Sequence, residues 1–330
     1  MEPLLVIILI LSFFVTLTFI PNWINIAKRG GFVGKDVNKT EKTKVAEAGG
    51  ICVMIGFVLG VLGYICAKIF VFKTEENTLE IFALLCSIIL VSFIGFVDDL
   101  AGWKIGLTKN TRIWLLILAA FPLVAINAGE SVMMGINLGV FYFLVLFIGF
   151  VGATTTFNFL AGYNGLEASQ GILILSGLAI ATFFTDNSWL SVICLTMVMC
   201  LSAFYIYNKY PAKVFPGDIL TYSVGALIAI VAILGNIEKI AVFFFIPYII
   251  ETGLKIRGKL KKESFAKVNK DNSLEMPYDK IYGLEHLAIK LLKKIKRDKK
   301  TYEKEVVYLI NLFQIMVISL GFFIFRNSIF

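Results

Sequence analysis

Charge is scarce in this chain. Only 16% of its 330 residues are Asp, Glu, Lys or Arg, against about 25% in a soluble globular protein. With 58% hydrophobic residues and a mean hydropathy of +0.84, that shortage excludes an ordinary soluble domain and predicts a polytopic membrane protein. Histidine is nearly absent, with His286 alone. The five cysteines (Cys52, Cys66, Cys86, Cys194, Cys200) fall inside apolar segments without ligand spacing, which argues against zinc. No stretch matches a Walker loop or a Rossmann fingerprint. The first apolar run, 4–20, has no basic residues ahead of it and no small-residue cleavage site, so it reads as a retained helix. A net charge of +8 is what remains, and its placement fits membrane topology, with no nucleic-acid partner expected.

Apolar runs of about 17–25 residues can span a bilayer. They fall near 3–20, 49–70, 80–97, 112–127, 138–153, 168–185, 189–208, 219–236, 239–256 and 306–325. Ten spans put both termini on one side. The odd-numbered loops with their helix ends collect 27 of the 31 lysines and arginines, leaving Lys68, Lys73, Lys239 and Arg326 for the other side. The positive-inside rule then places those loops in the cytoplasm and both termini outside.

Polar groups gather at that same face. Asp98 and Asp99 close a long apolar run in "SFIGFVDDLAG", where each charge would cost roughly 2.5–3.5 kcal/mol inside hydrocarbon. They read either as an interfacial stop signal or as a cation or proton-handling site, because adjacent carboxylates want a cation or a raised pKa. "TTTFNFLAGYNGLEASQG" (154–171) holds Asn158, Asn164 and Glu167 in a loop with no lysine or arginine. Its glycines and amides suit either a tight turn or close approach to a nucleotide. In "YNKYPAKVFPGDILTYSVG" (207–225), Asp218 opens a helix as a cap or as one oxygen ligand for Mg²⁺. Within 284–297, Leu284, Leu287, Ala288, Leu291, Leu292 and Ile295 form a helical stripe with Lys290, Lys293, Lys294 and Arg297 off it. That pattern predicts an amphipathic helix on an anionic membrane surface, with His286 incidental at its start.

Taken together, "DVNKT…VAEAGG", "FVDDL", "FNFLAGYNGLEASQG" and "YPAKVFPGDILTYSVG" resemble the polyprenyl-phosphate N-acetylhexosamine-1-phosphate transferases. The closest branch moves GlcNAc-1-phosphate from UDP-GlcNAc to dolichyl phosphate. "NGLEA", with Asn164 and Glu167, points there, since the bacterial peptidoglycan branch usually has aspartates at those two places. The resemblance implies one all-α domain over 1–330 with about ten transmembrane helices. The last cytoplasmic loop, at about 257–305, would carry a small β-hairpin around "VNKDNSLEMPYDK" (268–280).

It implies roles as well. Asn158 and Asp218 would hold Mg²⁺, with Mn²⁺ as the alternative. Asn164 and Phe215 would contact the uridine side, and Glu167 the nucleotide sugar. Glu47, with the backbone of Ala48–Gly50 including Gly49, would line the sugar pocket. Asp98 and Asp99 would be catalytic at the lipid phosphate, and Lys109 would steady phosphate. One departure stands out: where the family carries a His/Arg-rich motif, this chain reads "KKESFAK" (261–267). Lys261, Lys262 or Lys267 would supply charge there without arginine's fork, unless His286 or Arg257 folds in.

The expected reaction is an in-line attack of dolichyl phosphate on the β-phosphorus of UDP-GlcNAc, giving GlcNAc-PP-dolichol and UMP; a two-step route through a phosphoryl-aspartate stays open. The alternatives are another UDP-N-acetylhexosamine, or a nucleotide-sugar transporter, which would want ionisable residues at the bilayer midplane. Expected partners are the two substrates, the bilayer and, by analogy, a second copy in a homodimer. The expected location is a prokaryotic, archaeal-style plasma membrane with a cytoplasmic active site, the ER membrane being the alternative.

Overall fold

The computed structural model describes residues 3–102, 106–126 and 132–329. Helices dominate: α1 (Pro3–Gly30), α2 (Gly50–Cys66), α3 (Thr78–Ala101), α4 (Lys109–Ala119), α5 (Phe121–Ala125), α6 (Tyr142–Phe157) and α7 (Leu166–Phe184). They continue as α8 (Ser188–Asn208), α9 (Gly217–Leu234), α10 (Glu238–Phe244), α11 (Ile246–Arg257), α12 (Leu284–Ile295), α13 (Glu303–Ile324) and α14 (Arg326–Ile329). Three antiparallel pairs complete the fold: β1 (Val33–Lys35) with β2 (Lys44–Ala46), β3 (Val132–Met133) with β4 (Ile136–Asn137), and β5 (Lys267–Val268) with β6 (Leu274–Glu275).

Among the described residues, seven helices are long and apolar enough to cross a membrane: α1, α2 with the π-helical turn Ala67–Val71, α3, α7, α8, α9 and α13. This is a polytopic membrane protein. The other three predicted runs are shorter or divided. The run at 112–127 becomes α4 and α5, and 239–256 becomes α10 and α11. In both cases a proline (Pro122, Pro247) opens the second piece, where its missing N–H is no loss. The run at 138–153 starts as a 3₁₀ turn, Gly139–Phe141, and continues as the 16-residue α6.

Helix α9 is the centre of the bundle: 83% of its apolar stretch is buried, against 28% for α1 and 33% for α13 at the periphery. Where helices meet closely, glycine makes the room. A Cβ on Gly56 would meet Cys200 Sγ and Ser12 O of α1 at 3.1 Å each, and one on Gly60 would meet Thr196 of α8 at 2.7 Å. The Gly56–Gly60 surface therefore packs inside one chain. At the lysine-rich end, a Cβ on Gly95 of α3 would lie 2.6 Å from Ile219 N, so α3 and α9 touch backbone to backbone there. Ser92 and Ser223 bridge the same pair at 2.8 Å.

The hairpin expected in the last long loop is β5–β6. Its neighbour α12 is amphipathic but divides its stripe: Leu284 and Ala288 are buried, while Leu291 and Ile295 stay exposed. His286, read from the sequence as incidental, is fully buried beside Tyr278, and its Nδ1 accepts the Tyr282 N–H at 3.3 Å.

Candidate active site

Four chain segments build a cleft at the face carrying the basic loops. The α3 C-terminus supplies Asp98 and Asp99, and the α9 N-terminus supplies Asp218. The α6–α7 loop brings Asn158 to Glu167, and β1–β2 with the following turn brings Glu47. Two adjoining chambers, of about 850 and 480 Å³, share Glu47, Asp99, Phe215, Gly217 and Asp218.

The two adjacent aspartates are held apart by different partners. Asp99 caps α9, accepting the N–H groups of Asp218 (2.7 Å) and Ile219 (3.1 Å), which suits a carboxylate at a helix N-terminus. Gly217 permits this approach: its φ is +72°, and a Cβ there would lie 2.8 Å from Asp99 Cγ. Asp98 turns the other way. It accepts the Leu107 N–H at 2.5 Å and an ion pair from Arg112 Nη2 at 2.5 Å, and its side chain is 4% exposed. Both groups, expected to be catalytic, are thus engaged in bracing the site.

Asp218 is the more open carboxylate, with 25% of its side chain exposed. Asn158 Nδ2 donates to its Oδ1 at 2.9 Å, while Arg112 Nη2 stands 4.0 Å from its Oδ2. This pair fits Mg²⁺: a carboxylate and an amide meet in a chamber where carboxylates outnumber cations. Among the described residues no three His, Cys, Asp or Glu side chains form a metal cluster. A hard cation here would therefore need substrate oxygens and water, which is the usual habit of Mg²⁺. Burial raises the Glu47 carboxyl above its ordinary range.

The asparagine loop is fixed by other acids. Glu167 is buried and accepts the Gly162 N–H at 2.7 Å. Glu303, at the start of α13, accepts the Asn164 N–H at 2.8 Å and its amide at 3.1 Å, and Asp36 accepts that amide at 3.0 Å. Asp36 is itself paired with Lys39. The two hairpins meet above this loop: the Thr40 N–H donates to Asn272 Oδ1 at 2.9 Å, and Thr40 Oγ1 to Asn269 O at 3.1 Å. Asn38 donates to Gly162 O at 3.0 Å and accepts the Ala266 N–H at 3.3 Å.

Of the residues singled out in the sequence, Glu47, Asp98, Asp99, Lys109, Asn158, Asn164, Glu167, Phe215 and Asp218 all line the two chambers. Three do not. Gly49 is buried and its N–H is committed to Phe215 O at 2.9 Å, so its role is the close approach of α2 to the 214–216 segment. Lys262 lies over the Tyr278 ring at 4.6 Å, away from either chamber. Lys267 lies in β5 opposite Glu275, outside either chamber. The cations beside the carboxylates are Lys109 and Arg112, with Lys35 and Lys42 in the larger chamber.

Sequence reading missed Arg112, Asn208 and Phe265. Arg112 follows Lys109 by three residues, one turn along α4, which was the available signal. Asn208 donates to Val214 O at 2.9 Å and leaves its buried Oδ1 unpartnered at the cleft. Phe265 lies on Gly162, where a Cβ would meet its ring at 2.8 Å.

A second, wholly different cavity of about 450 Å³ runs along α6, α9 and α10–α11, lined by apolar side chains such as Val145, Ile148, Ile228 and Phe245. Thr156, two residues before Asn158 on the same chain segment, is among its lining residues.

Residues 81–236 match glycosyl transferase family 4. A protein of Saccharolobus solfataricus, provisionally named a UDP-N-acetylglucosamine–dolichyl-phosphate N-acetylglucosaminephosphotransferase, is 35% identical over 86% of this chain and 87% of its own length. The Dictyostelium discoideum protein of that name is 27% identical over 71% of this chain and 67% of its own. A Geobacillus phospho-N-acetylmuramoyl-pentapeptide-transferase is 28% identical over 76% and 82%.

Proposed function

From the premise that the chain belongs to the polyprenyl-phosphate N-acetylhexosamine-1-phosphate transferases of glycosyl transferase family 4, we propose that it transfers GlcNAc-1-phosphate from UDP-GlcNAc to dolichyl phosphate. The observation that carries this reading is a pair of unlike cavities served by one chain segment. A polar cleft holds the Asn158–Asp218 pair, and an apolar groove is lined by Thr156, two residues before Asn158. A water-soluble sugar nucleotide suits the first, and an isoprenoid tail suits the second. The charge distribution supports ten spans with both termini outside and the cleft in the cytoplasm of an archaeal-style plasma membrane.

An oxygen of dolichyl phosphate attacks the β-phosphorus of UDP-GlcNAc. The new P–O bond forms as the bond to the bridging oxygen breaks, and UMP leaves with that oxygen and its electron pair. A phosphate monoester is already largely ionised at neutral pH, so no strong base is required. Positioning and charge compensation dominate. Asn158 and Asp218 would hold Mg²⁺, which neutralises pyrophosphate charge when bound. Asp99 fixes Asp218 through the start of α9. Arg112 restrains Asp98 and faces Asp218. Asn164, locked by Glu303 and Asp36, keeps its carbonyl oxygen for the uridine side together with Phe215.

The test is transfer of label from UDP-[³H]GlcNAc into an organic-soluble product with release of UMP, run beside Asp218→Ala and EDTA. Loss of transfer in both controls is expected. Transfer that survives both would overturn the metal assignment, and no transfer by folded protein with any UDP-N-acetylhexosamine would overturn the reaction.

A further inference from the structure

Helix α12 takes no part in the chemistry above, yet its surface is sorted in a way that calls for a partner. The helix lies across the ends of two neighbours. Its first residue, Leu284, donates its N–H to Glu251 of α11 at 2.5 Å, and Lys296, just past its end, donates to Glu305 of α13 at 2.8 Å. Glu285, His286, Ala288 and Ile289 face inward and are buried. Leu287, Leu291 and Ile295, spaced by four, form one outward row. Leu287 is half-buried, Leu291 is 41% exposed and Ile295 75%.

The basic residues are sorted by the same division. Lys293 pairs with Glu275, Lys296 with Glu305 and Lys300 with Asp271. Lys290, Lys294, Arg297 and Lys299 have no acidic partner among the described residues, and the first two flank the outward apolar row. Cations that face protein are neutralised, and those beside the exposed leucine and isoleucine are not.

We propose that the outward face of α12 docks into the anionic headgroup layer of the bilayer, and that this docking holds the preceding segment over the cleft. Three observations choose a bilayer as the occupant. The apolar row is shallow and flanked by lysines, as an interfacial helix requires. Its four unpaired cations are complementary to anionic lipid. Both ends are bonded to helices that carry exposed apolar residues of their own, Ile249 and Ile256 on α11 and Tyr308 and Leu312 on α13. The inward face carries the consequence: His286 sits against the backbone of Ser264 and Phe265, and the Phe265 ring lies on Gly162 in the cleft.

The test compares full-length protein in neutral phosphatidylcholine nanodiscs with discs containing about 30 mol% phosphatidylglycerol. Hydrogen exchange of residues 284–297 is measured alongside the KM for UDP-GlcNAc. Exchange in α12 should slow by about fivefold or more in the anionic discs, an advantage that shrinks in high salt. KM should fall with it while kcat holds. Lys290→Gln/Lys294→Gln should lose both effects, with exchange elsewhere unchanged as the control for folding. Equal α12 exchange in the two discs, or protection by free phosphate or a soluble polyglutamate in neutral discs, would overturn the proposal. The exchange readout is independent of transfer, so failure of the proposed reaction is seen separately.

Discussion

Replacing Arg112 by methionine isolates what a single guanidinium does for two carboxylates. Methionine keeps much of the stem and removes only the charged fork. Asp98, 4% exposed, then keeps the Leu107 N–H as its remaining hydrogen bond and loses its ion pair. Asp218, 4.0 Å from the guanidinium, loses the nearest compensating charge. Removing one partner of a buried pair costs about 3–5 kcal/mol. Arg112 is itself 28% exposed, which argues for the low end, about 3 kcal/mol. If that cost falls on the geometry needed for transfer, kcat/KM drops about 100-fold. Arg112→Lys should lose roughly tenfold, keeping charge without the planar guanidinium whose Nη2 faces both aspartates. The half-saturating Mg²⁺ concentration should fall in Arg112→Met, since uncompensated carboxylates attract the cation more strongly. UMP release and thermal unfolding report the two sides of this reasoning. Asp98→Asn/Arg112→Met should be more thermostable than Arg112→Met alone, because the stranded charge is gone. A rate within threefold of wild type in Arg112→Met, together with simple additivity in the double variant, would refute the argument.

Further outcomes follow from packing and burial. Gly152 faces open space in the apolar groove, since a Cβ there would meet nothing within 4 Å. Gly152→Leu should therefore fold normally yet raise the KM for long polyprenyl phosphates about tenfold, as steric loss of a few apolar contacts allows. The KM for UDP-GlcNAc should be unmoved, and an unaltered lipid KM would show that the tail lies elsewhere. Glu285 is buried with neither carboxylate oxygen hydrogen-bonded, and burial holds its carboxyl well above the ordinary carboxylate value of 4.5. The folded state thus keeps a proton that the unfolded chain releases above that value, and stability erodes as pH rises. Glu285→Gln should gain thermal stability at pH 8 and little at pH 5; a gain independent of pH would count against it. His286 runs oppositely: burial lowers its pKa to about 4, so its contribution is complete above its ordinary 6.5 and is lost as pH falls toward 4.

Much of this was legible in the residue order. Long apolar runs are local, so seven spans could be read directly, and the helix breaks were missed because Pro122 and Pro247 continue an apolar pattern while ending a hydrogen-bond ladder. The acids and amides of the cleft were found because polar groups at the end of an apolar helix are conspicuous. Their partners were not, because Arg112 reaches Asp98 across a loop and Glu303 reaches Asn164 across more than a hundred residues. The same limit misdirected Lys262 and Lys267: position in the chain suggested phosphate, whereas the fold sets one over Tyr278 and the other opposite Glu275. Gly49 was placed in the right neighbourhood, but its N–H serves Phe215 O.

The contact of Thr40 with Asn269 and Asn272, and of Asn164 with Glu303, bears on how the protein is made. Translation delivers α1, α3, α6 and α9, and with them every proposed metal and carboxylate group, well before residue 264 emerges. The asparagine loop is not locked, nor the early hairpin clasped, until the β5–β6 hairpin and the start of α13 arrive. A nascent chain with most of its helices already in the membrane therefore lacks an ordered nucleotide pocket. On the proposed reaction, sugar transfer needs that lock, so a chain interrupted before Glu303 should leave its lipid substrate untouched.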